Sequence, residues 1–543
     1  MIYWGKPMKR RDFFKLSVTA SLLGSLPLRS WAQSRMGHHN PMSHGMAEQG
    51  VTTRTGLMPV EKMPAGQALQ ALPVLQNRSD KPGLFQANIT AAAHRRVLAD
   101  GQNTELWLYN GQMPGPLIEL YEGDQVEIEF ENRLDQATTL HWHGLPVPSD
   151  QDGNPQDTVL PGQRRHYRFT LPEGSAGTYW YHPHPHGKSG EQVAHGLGGT
   201  IIVRSHADPL RDFAEQHWAI SDIRLDNTGH IPPNTGLDWM NGREGQFVLL
   251  NGQRQPVIQT RSRERIRVWN TCSARYLNLH IPGARLIQVG TDGGLLEQPL
   301  EAVDSILLAP AERVEFFIQT DRNLESTLQA LYYDRQKMMV QEQPTTLTLA
   351  HLTIRQEELV LPQQLRAIPL VPGASNTTKV VFSELMPMDH DMPMSSEHGS
   401  GATSNQHHQN MGAMNIASTM DGNAMMPEMA ALRSMFRIND QVYDMNRIDL
   451  RCPTGQWQYW DVINDSHMDH PFHLHGTQFQ VLARQTGMQS VPEAFRAWKD
   501  TVNLRPRETV RLAFRQELPG LRMFHCHILE HEDLGMMAQL MVE

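Results

Sequence analysis

A turn flanked by strand-forming residues occurs three times in this chain of 543 residues. Leu108-Tyr109-Asn110-Gly111-Gln112, Leu249-Leu250-Asn251-Gly252-Gln253 and Arg437-Ile438-Asn439-Asp440-Gln441 each carry a hairpin-type dipeptide. A second landmark built around a proline follows each one: Val159-Leu160-Pro161-Gly162-Gln163-Arg164, Leu307-Leu308-Ala309-Pro310-Ala311-Glu312-Arg313 and Asn503-Leu504-Arg505-Pro506-Arg507-Glu508. Self-similarity at this period means one unit copied along the chain. Within each copy the apolar residues alternate with polar ones, as in Gln125–Phe130, Arg265–Val268 and Glu508–Phe514. Period two predicts half-buried antiparallel strands closed into sandwiches or barrels, an all-β fold. The three copies are expected at 75–206, 207–365 and 378–543.

Hydrophobic residues are 39% and charged residues 20%, an ordinary globular mixture. Lys plus Arg number 48 against 58 Asp plus Glu, a net charge of −10 that repels phosphate backbones, so no nucleic acid is expected as a partner. The N-terminus reads Lys9-Arg10-Arg11-Asp12-Phe13-Phe14, then a mildly apolar run to Leu28 and the small-residue site Ser30-Trp31-Ala32. This pattern predicts a twin-arginine export signal over 1–32 and a periplasmic product. Neither the leader nor any later segment is apolar for the ~20 residues that a membrane span requires. Residues 33–74, which include the His- and Met-containing run Met36–Met46, read as a flexible tether. Of the three cysteines, Cys272 and Cys452 are either buried thiols or one disulfide.

The compositional anomaly is 29 Met and 27 His. Thioether and imidazole are copper ligands, and Met prefers the cuprous ion. Four motifs concentrate the histidines: His141-Trp142-His143-Gly144; Trp180-Tyr181-His182-Pro183-His184; His470-Pro471-Phe472-His473-Leu474-His475-Gly476; and His525-Cys526-His527-Ile528-Leu529-Glu530-His531, followed by Met536. Residues i and i+2 of a strand face one side and i+1 the other. His525 and His527 can therefore enter one metal cluster while Cys526 enters a second site, with the backbone joining the two.

On these motifs the chain resembles the three-domain multicopper oxidases, built from cupredoxin folds. Its third domain is similar to that of the bacterial copper-efflux cuprous oxidases of the CueO type. The resemblance implies three consecutive cupredoxin-like Greek-key domains and four copper ions, one of type 1, one of type 2 and two of type 3. Type 1 copper would take His470, Cys526 and His531, with Met536 as weak axial ligand. Type 2 copper would take His141 and His473. The type 3 pair would take His143, His182, His184, His475, His525 and His527. The cluster would lie between the first and third domains, with the second as spacer, and His186 and His195 would stand off the pattern. Asp152 and Glu532 match acids that deliver protons in the family, and each could instead serve as a structural carboxylate.

The donor depends on one segment. From Met386 to Met435 there are eleven Met among His, Asp, Gly and Ser, without sheet alternation, which reads as an insertion in the third domain. In the family such an insertion holds an additional, labile substrate copper. Met386, Met388 and Asp391, with Met468, match that site. Ser466 stands where an Asp is usual, and Asp465 or Asp469 could replace it. The expected reaction is oxidation of Cu(I) by dioxygen in copper detoxification, by a monomer. A laccase-type oxidase of small phenolic donors and a copper-sequestering protein are the competing readings.

Overall fold

A computed structural model describes residues 56–373, 376–385 and 432–543. The expected leader and the residues Met386, Met388 and Asp391 lie outside the described residues. Among the described residues, six sheets follow one another in pairs, built from strands between Leu84 and Arg204, Glu215 and Arg355, and Thr378 and Val542. Each pair closes on its own apolar core. Ile89, Phe130, Trp142 and Ile201 fill the first, Trp218, Ile266, Leu279 and Phe316 the second, and Phe382, Trp460, Phe472 and Leu512 the third. The result is an all-β fold of three cupredoxin-like sandwiches, with the helices among the described residues confined to short pieces such as Ser189–Ala194, Gly236–Asn241 and Leu529–Asp533.

The three sandwiches open in the same way. A first strand lies parallel to a later one: Leu84–Ala99 beside Gln125–Asn132, Glu215–Ile223 beside Arg265–Asn270, and Thr378–Glu384 beside Trp457–Asp465. The repeated turn has a shared physical cause. Asn110, Asn251 and Asn439 take φ of 50°, 51° and 52°, and the next residue is also left-handed at Gly111, Gly252 and Asp440. Asn tolerates that conformation better than most residues. It also supplies an acceptor: the three Oδ1 atoms receive the backbone N–H of Thr90, Ala219 and Val381, each at 2.8 Å. The proline of the second landmark is followed each time by a residue at positive φ, Gly162, Ala311 and Arg507.

The tether expected at 33–74 is held down over its described part. Isolated bridges pair Leu57 with Asp226, Ala65 with Arg254, Ala68 with Val257 and Val74 with Leu117, and Met58, Met63 and Leu72 are buried. Cys272 and Cys452 are free thiols, both buried, so the disulfide alternative does not hold. No helix among the described residues is long and apolar enough to cross a membrane.

The first and third sandwiches meet where Asp533 accepts the backbone N–H groups of Ser189 and Gly190, both at 2.9 Å. The second reaches the first through Trp269, whose indole donates to the carbonyl of Tyr179 at 2.6 Å.

Candidate metal centre

The strand Gly520–Cys526 pairs antiparallel with His470–Leu474, matching Phe472 with Cys526 and His473 with His525. Successive residues alternate faces. Cys526 therefore enters the core of the third sandwich with Phe472, while His525 and His473 turn to the opposite face. Inside the core, Cys526 Sγ lies 3.4 Å from His470 Nδ1 and 3.7 Å from His531 Nδ1, and the two Nδ1 atoms are 3.3 Å apart. Met536 is fully buried and is fastened to both neighbours by its backbone, donating to His531 O at 2.9 Å and accepting from Cys526 N at 3.0 Å. The outer nitrogen of His531 meets Met240 O at 3.1 Å, and Phe436 stacks on its ring at 3.9 Å. Burial pushes the Cys526 thiol up, so an unmetallated sulfur keeps its proton. Coordination removes that proton.

On the opposite face, eight histidines converge from the first and third sandwiches, all fully buried. His141 pairs with His182 across the strands His141–His143 and Gly177–His182. Three trios bring their ring nitrogens within 4.8 Å of one another: His143 with His182 and His527, His184 with His475 and His525, and His141 with His143 and His473. His184 Nε2 and His475 Nε2 each stand 3.1 Å from His525 Nε2. His141 and His473 meet in the third trio. Their Nδ1 atoms bond to the carbonyls of Asp152 and Asp500, both at 2.8 Å, which leaves each Nε2 free. Burial, then the neighbouring imidazoles, hold His143, His182, His184, His473, His475 and His527 below the usual imidazole value, and burial takes His525 down to about 3. Neutral imidazoles keep the lone pairs that metals need.

Three buried carboxylates line the outer side of this cluster. Asp152 reaches His141 Nδ1 at 3.3 Å and His475 Nδ1 at 3.2 Å. Glu532 lies between His184 Nδ1 at 3.3 Å and His525 Nδ1 at 3.4 Å. Asp500 accepts from His143 Nε2 at 2.9 Å. Burial, then the adjacent Asp533, raises the Glu532 carboxyl well above the usual range. Such partners set which ring nitrogen faces a metal. Asp500 escaped the sequence reading because Lys499-Asp500-Thr501 carries no motif; the pairing of His473 with Thr501 delivers it to the cluster.

The acid at the edge of the sulfur site also differs from expectation. Asp469 spends its carboxylate on the Tyr333 hydroxyl and on Asn503, and Asp465 pairs with Arg507 at the surface. Neither meets the outer nitrogen of His470. Glu384 Oε1 does, at 3.0 Å, and its other oxygen lies 2.6 Å from Nδ1 of the half-exposed His467. Ser466 is buried, its hydroxyl bonded to Asn464 and to Met468 O. Met468 is fully buried in the same apolar core as Cys526. His186 packs on Tyr443, and His195 stacks on Trp107, both off the cluster.

The donor set fits copper. Nε2 of His141, Nε2 of His473 and both ring nitrogens of His527 are buried without a protein partner. An unpaired buried polar atom costs about 1–3 kcal/mol, so these atoms are arranged for a ligand other than protein. A thiol with two imidazoles and a nearby thioether on one side, and imidazoles alone on the other, suit copper in two different environments.

Two such centres joined through one strand define a copper oxidoreductase. Multicopper oxidase family models match residues 91–208 and 406–543. A multicopper oxidase from Campylobacter jejuni, described as a metallo-oxidase, is 44% identical and superposes with a TM-score of 0.82 over 90% of this chain and 97% of its own. A laccase from Pediococcus acidilactici is 29% identical, with a TM-score of 0.71 over 89% of this chain and 95% of its own. The multicopper oxidase mco of Staphylococcus aureus is 28% identical over 86% of this chain and 91% of its own length. The chain belongs to the multicopper oxidase family.

Proposed function

We propose that this oxidase takes electrons from Cu(I) and delivers them to dioxygen, in copper detoxification outside the cytoplasm. The observation that carries the electron route is the alternation at 525–527, with Cys526 among His470 and His531, and His525 in contact with the nitrogens of His184 and His475. His470, Cys526, His531 and Met536 would hold a type 1 copper, His141 and His473 a type 2 copper, and His143, His182, His184, His475, His525 and His527 a type 3 pair. Bound copper supplies one-electron acceptance at the sulfur site and four-electron reduction of dioxygen to water at the cluster.

The chain's own residues do the rest. Cys526 and its peptide links to His525 and His527 form the covalent path between the centres. Asp152 and Glu532 each lie within reach of two cluster histidines and bring protons to the cluster, and Asp152 also bonds His475 Nδ1 at 3.2 Å. A carboxyl group raised by burial, as Glu532 is, can carry a proton near neutral pH.

Cu(I) as donor is supported by what surrounds His470 and His531. Glu384 pairs with Phe436 across a sheet edge, and these two residues touch His470 and His531 respectively. The Met-rich stretch begins at Met386, two residues after Glu384, and ends at Met435, just before Phe436. Soft thioethers beside a carboxylate and an imidazole suit a cuprous substrate, and Met386, Met388, Asp391, Met468 and Glu384 are its proposed contacts. The competing reading, a phenolic donor, draws on the similar laccase. Oxygen uptake with Cu(I) and with a bulky phenol, each with and without added Cu(II), decides between them: faster uptake on Cu(I) is expected, and faster uptake on the phenol alone contradicts the proposal. Export rests on the leader; Arg10→Lys with Arg11→Lys should retain the protein in the cytoplasm, and an unchanged distribution contradicts that assignment.

A further inference from the structure

The second sandwich contributes none of the proposed copper ligands, yet one of its side chains reaches the cluster's outer rim. Arg313 is fully buried. Its guanidinium grips both carboxylate oxygens of Asp500, in the third sandwich, with Nη1 at 2.7 Å from Oδ1. Two more donors are fixed: Nε donates to Thr178 O of the first sandwich at 2.7 Å, and Nη1 to Ala311 O at 2.8 Å. Its own backbone N–H is held by Asp292 Oδ1 at 2.8 Å.

Asp500 in turn serves two histidines. Its Oδ1 meets His143 Nε2 at 2.9 Å, and its carbonyl meets His473 Nδ1 at 2.8 Å. Thr501 donates its hydroxyl to the same Oδ1 at 2.9 Å. We propose that Arg313 is a positioning residue of the oxygen-reducing cluster: it holds Asp500 so that His143 Nδ1 and His473 Nε2 face inward, and thereby ties the second sandwich to the cluster. A planar fork matches a carboxylate through two parallel bonds, which a lysine cannot reproduce. Freed of its fork, the buried carboxylate can rotate, which releases His143 Nε2 and loosens the Asp500 main chain whose carbonyl holds His473 Nδ1. The inference rests on the assignment of His143 and His473 to the cluster.

The test uses copper-loaded full-length protein and four variants: Arg313→Met, Arg313→Lys, His473→Ala and Arg267→Met. Arg267 is an equally buried arginine of the second sandwich that binds Thr178, Glu215 and Glu315 and has no bond to Asp500. The readouts are the EPR spectrum of the type 2 centre, copper content, blue absorbance and oxygen uptake. Arg313→Met should keep the blue band, alter or lose the type 2 signal and slow oxygen uptake about 10- to 100-fold. Arg313→Lys should fall between it and the parent, while Arg267→Met should leave the type 2 spectrum unchanged even where it lowers thermal stability. If Arg313→Met does not fold, the lysine variant alone decides: a parental type 2 spectrum in it overturns the proposal. His473→Ala separates the two claims. If it keeps the type 2 signal, the cluster assignment falls and takes this inference with it. If it loses the signal while Arg313→Met keeps the parental spectrum, only the role of Arg313 is overturned.

Discussion

Glu384 Oε1 lies 3.0 Å from the outer nitrogen of His470, a residue 86 positions further along the chain. Burial works against its charge, but hydrogen bonds from His467 and His470 hold the carboxyl well below the usual range, so it stays ionised at the rim of the sulfur site. Glu384→Gln should remove that charge, raise the type 1 potential and lower kcat/KM for Cu(I) by about tenfold, the scale typical of a lost ligand-orienting partner. Potentiometric titration of the blue band and oxygen uptake on Cu(I) read the two effects; a parental potential together with parental kinetics contradicts the role.

His141→Ala and His473→Ala each delete one imidazole whose Nε2 lacks a protein partner. Both should lose the type 2 EPR signal and stop oxygen uptake, yet allow a reductant to bleach the blue colour once. Normal oxygen uptake in either variant means that the cluster has been misassigned.

Gly144 follows the first histidine pair at φ +87°, and a Cβ there would stand 2.2 Å from Asp500 Oδ2. The glycine of His141-Trp142-His143-Gly144 thus makes room for the carboxylate that orients His143. Gly144→Ala should cost about 1–3 kcal/mol in backbone strain alone, seen as a lower Tm, and should also weaken retention of the type 3 copper that His143 would hold. An unchanged Tm contradicts this account of the motif.

Asp152→Asn keeps the shape of the group that spans His141 and His475 but cannot relay a proton near neutral pH. Copper content and blue absorbance should remain parental while turnover falls by about 10²-fold or more. An unchanged rate leaves Asp152 with a structural role only.

Local chemistry was legible in the sequence wherever strand periodicity decides it. The alternation at His525-Cys526-His527 and the repeated Asn turns needed only the pleat and a residue that tolerates positive φ. Partners supplied by tertiary pairing were not legible. Asp500 acts because His473 pairs with Thr501, and Glu384 because Thr378–Glu384 ends beside His470. Arg313 belongs to the proline landmark, but the corresponding Arg164 of the first copy is half-exposed and pairs with Glu129 and Glu131. Only packing against a neighbouring sandwich distinguishes the two arginines. Ser466 misled for a related reason: the acid beside His470 comes from a distant strand rather than from the local loop.

The central claim is that Cys526 joins two copper centres, and Cys526→Ser tests it most directly. Metal analysis, visible absorbance and EPR of the copper-loaded variant should show one copper fewer per chain than the parent, no blue band, a preserved type 2 signal and no oxygen uptake, because every proposed cluster histidine is untouched. A Cys526→Ser protein that stays blue, or that still consumes oxygen at the parental rate, would contradict the account.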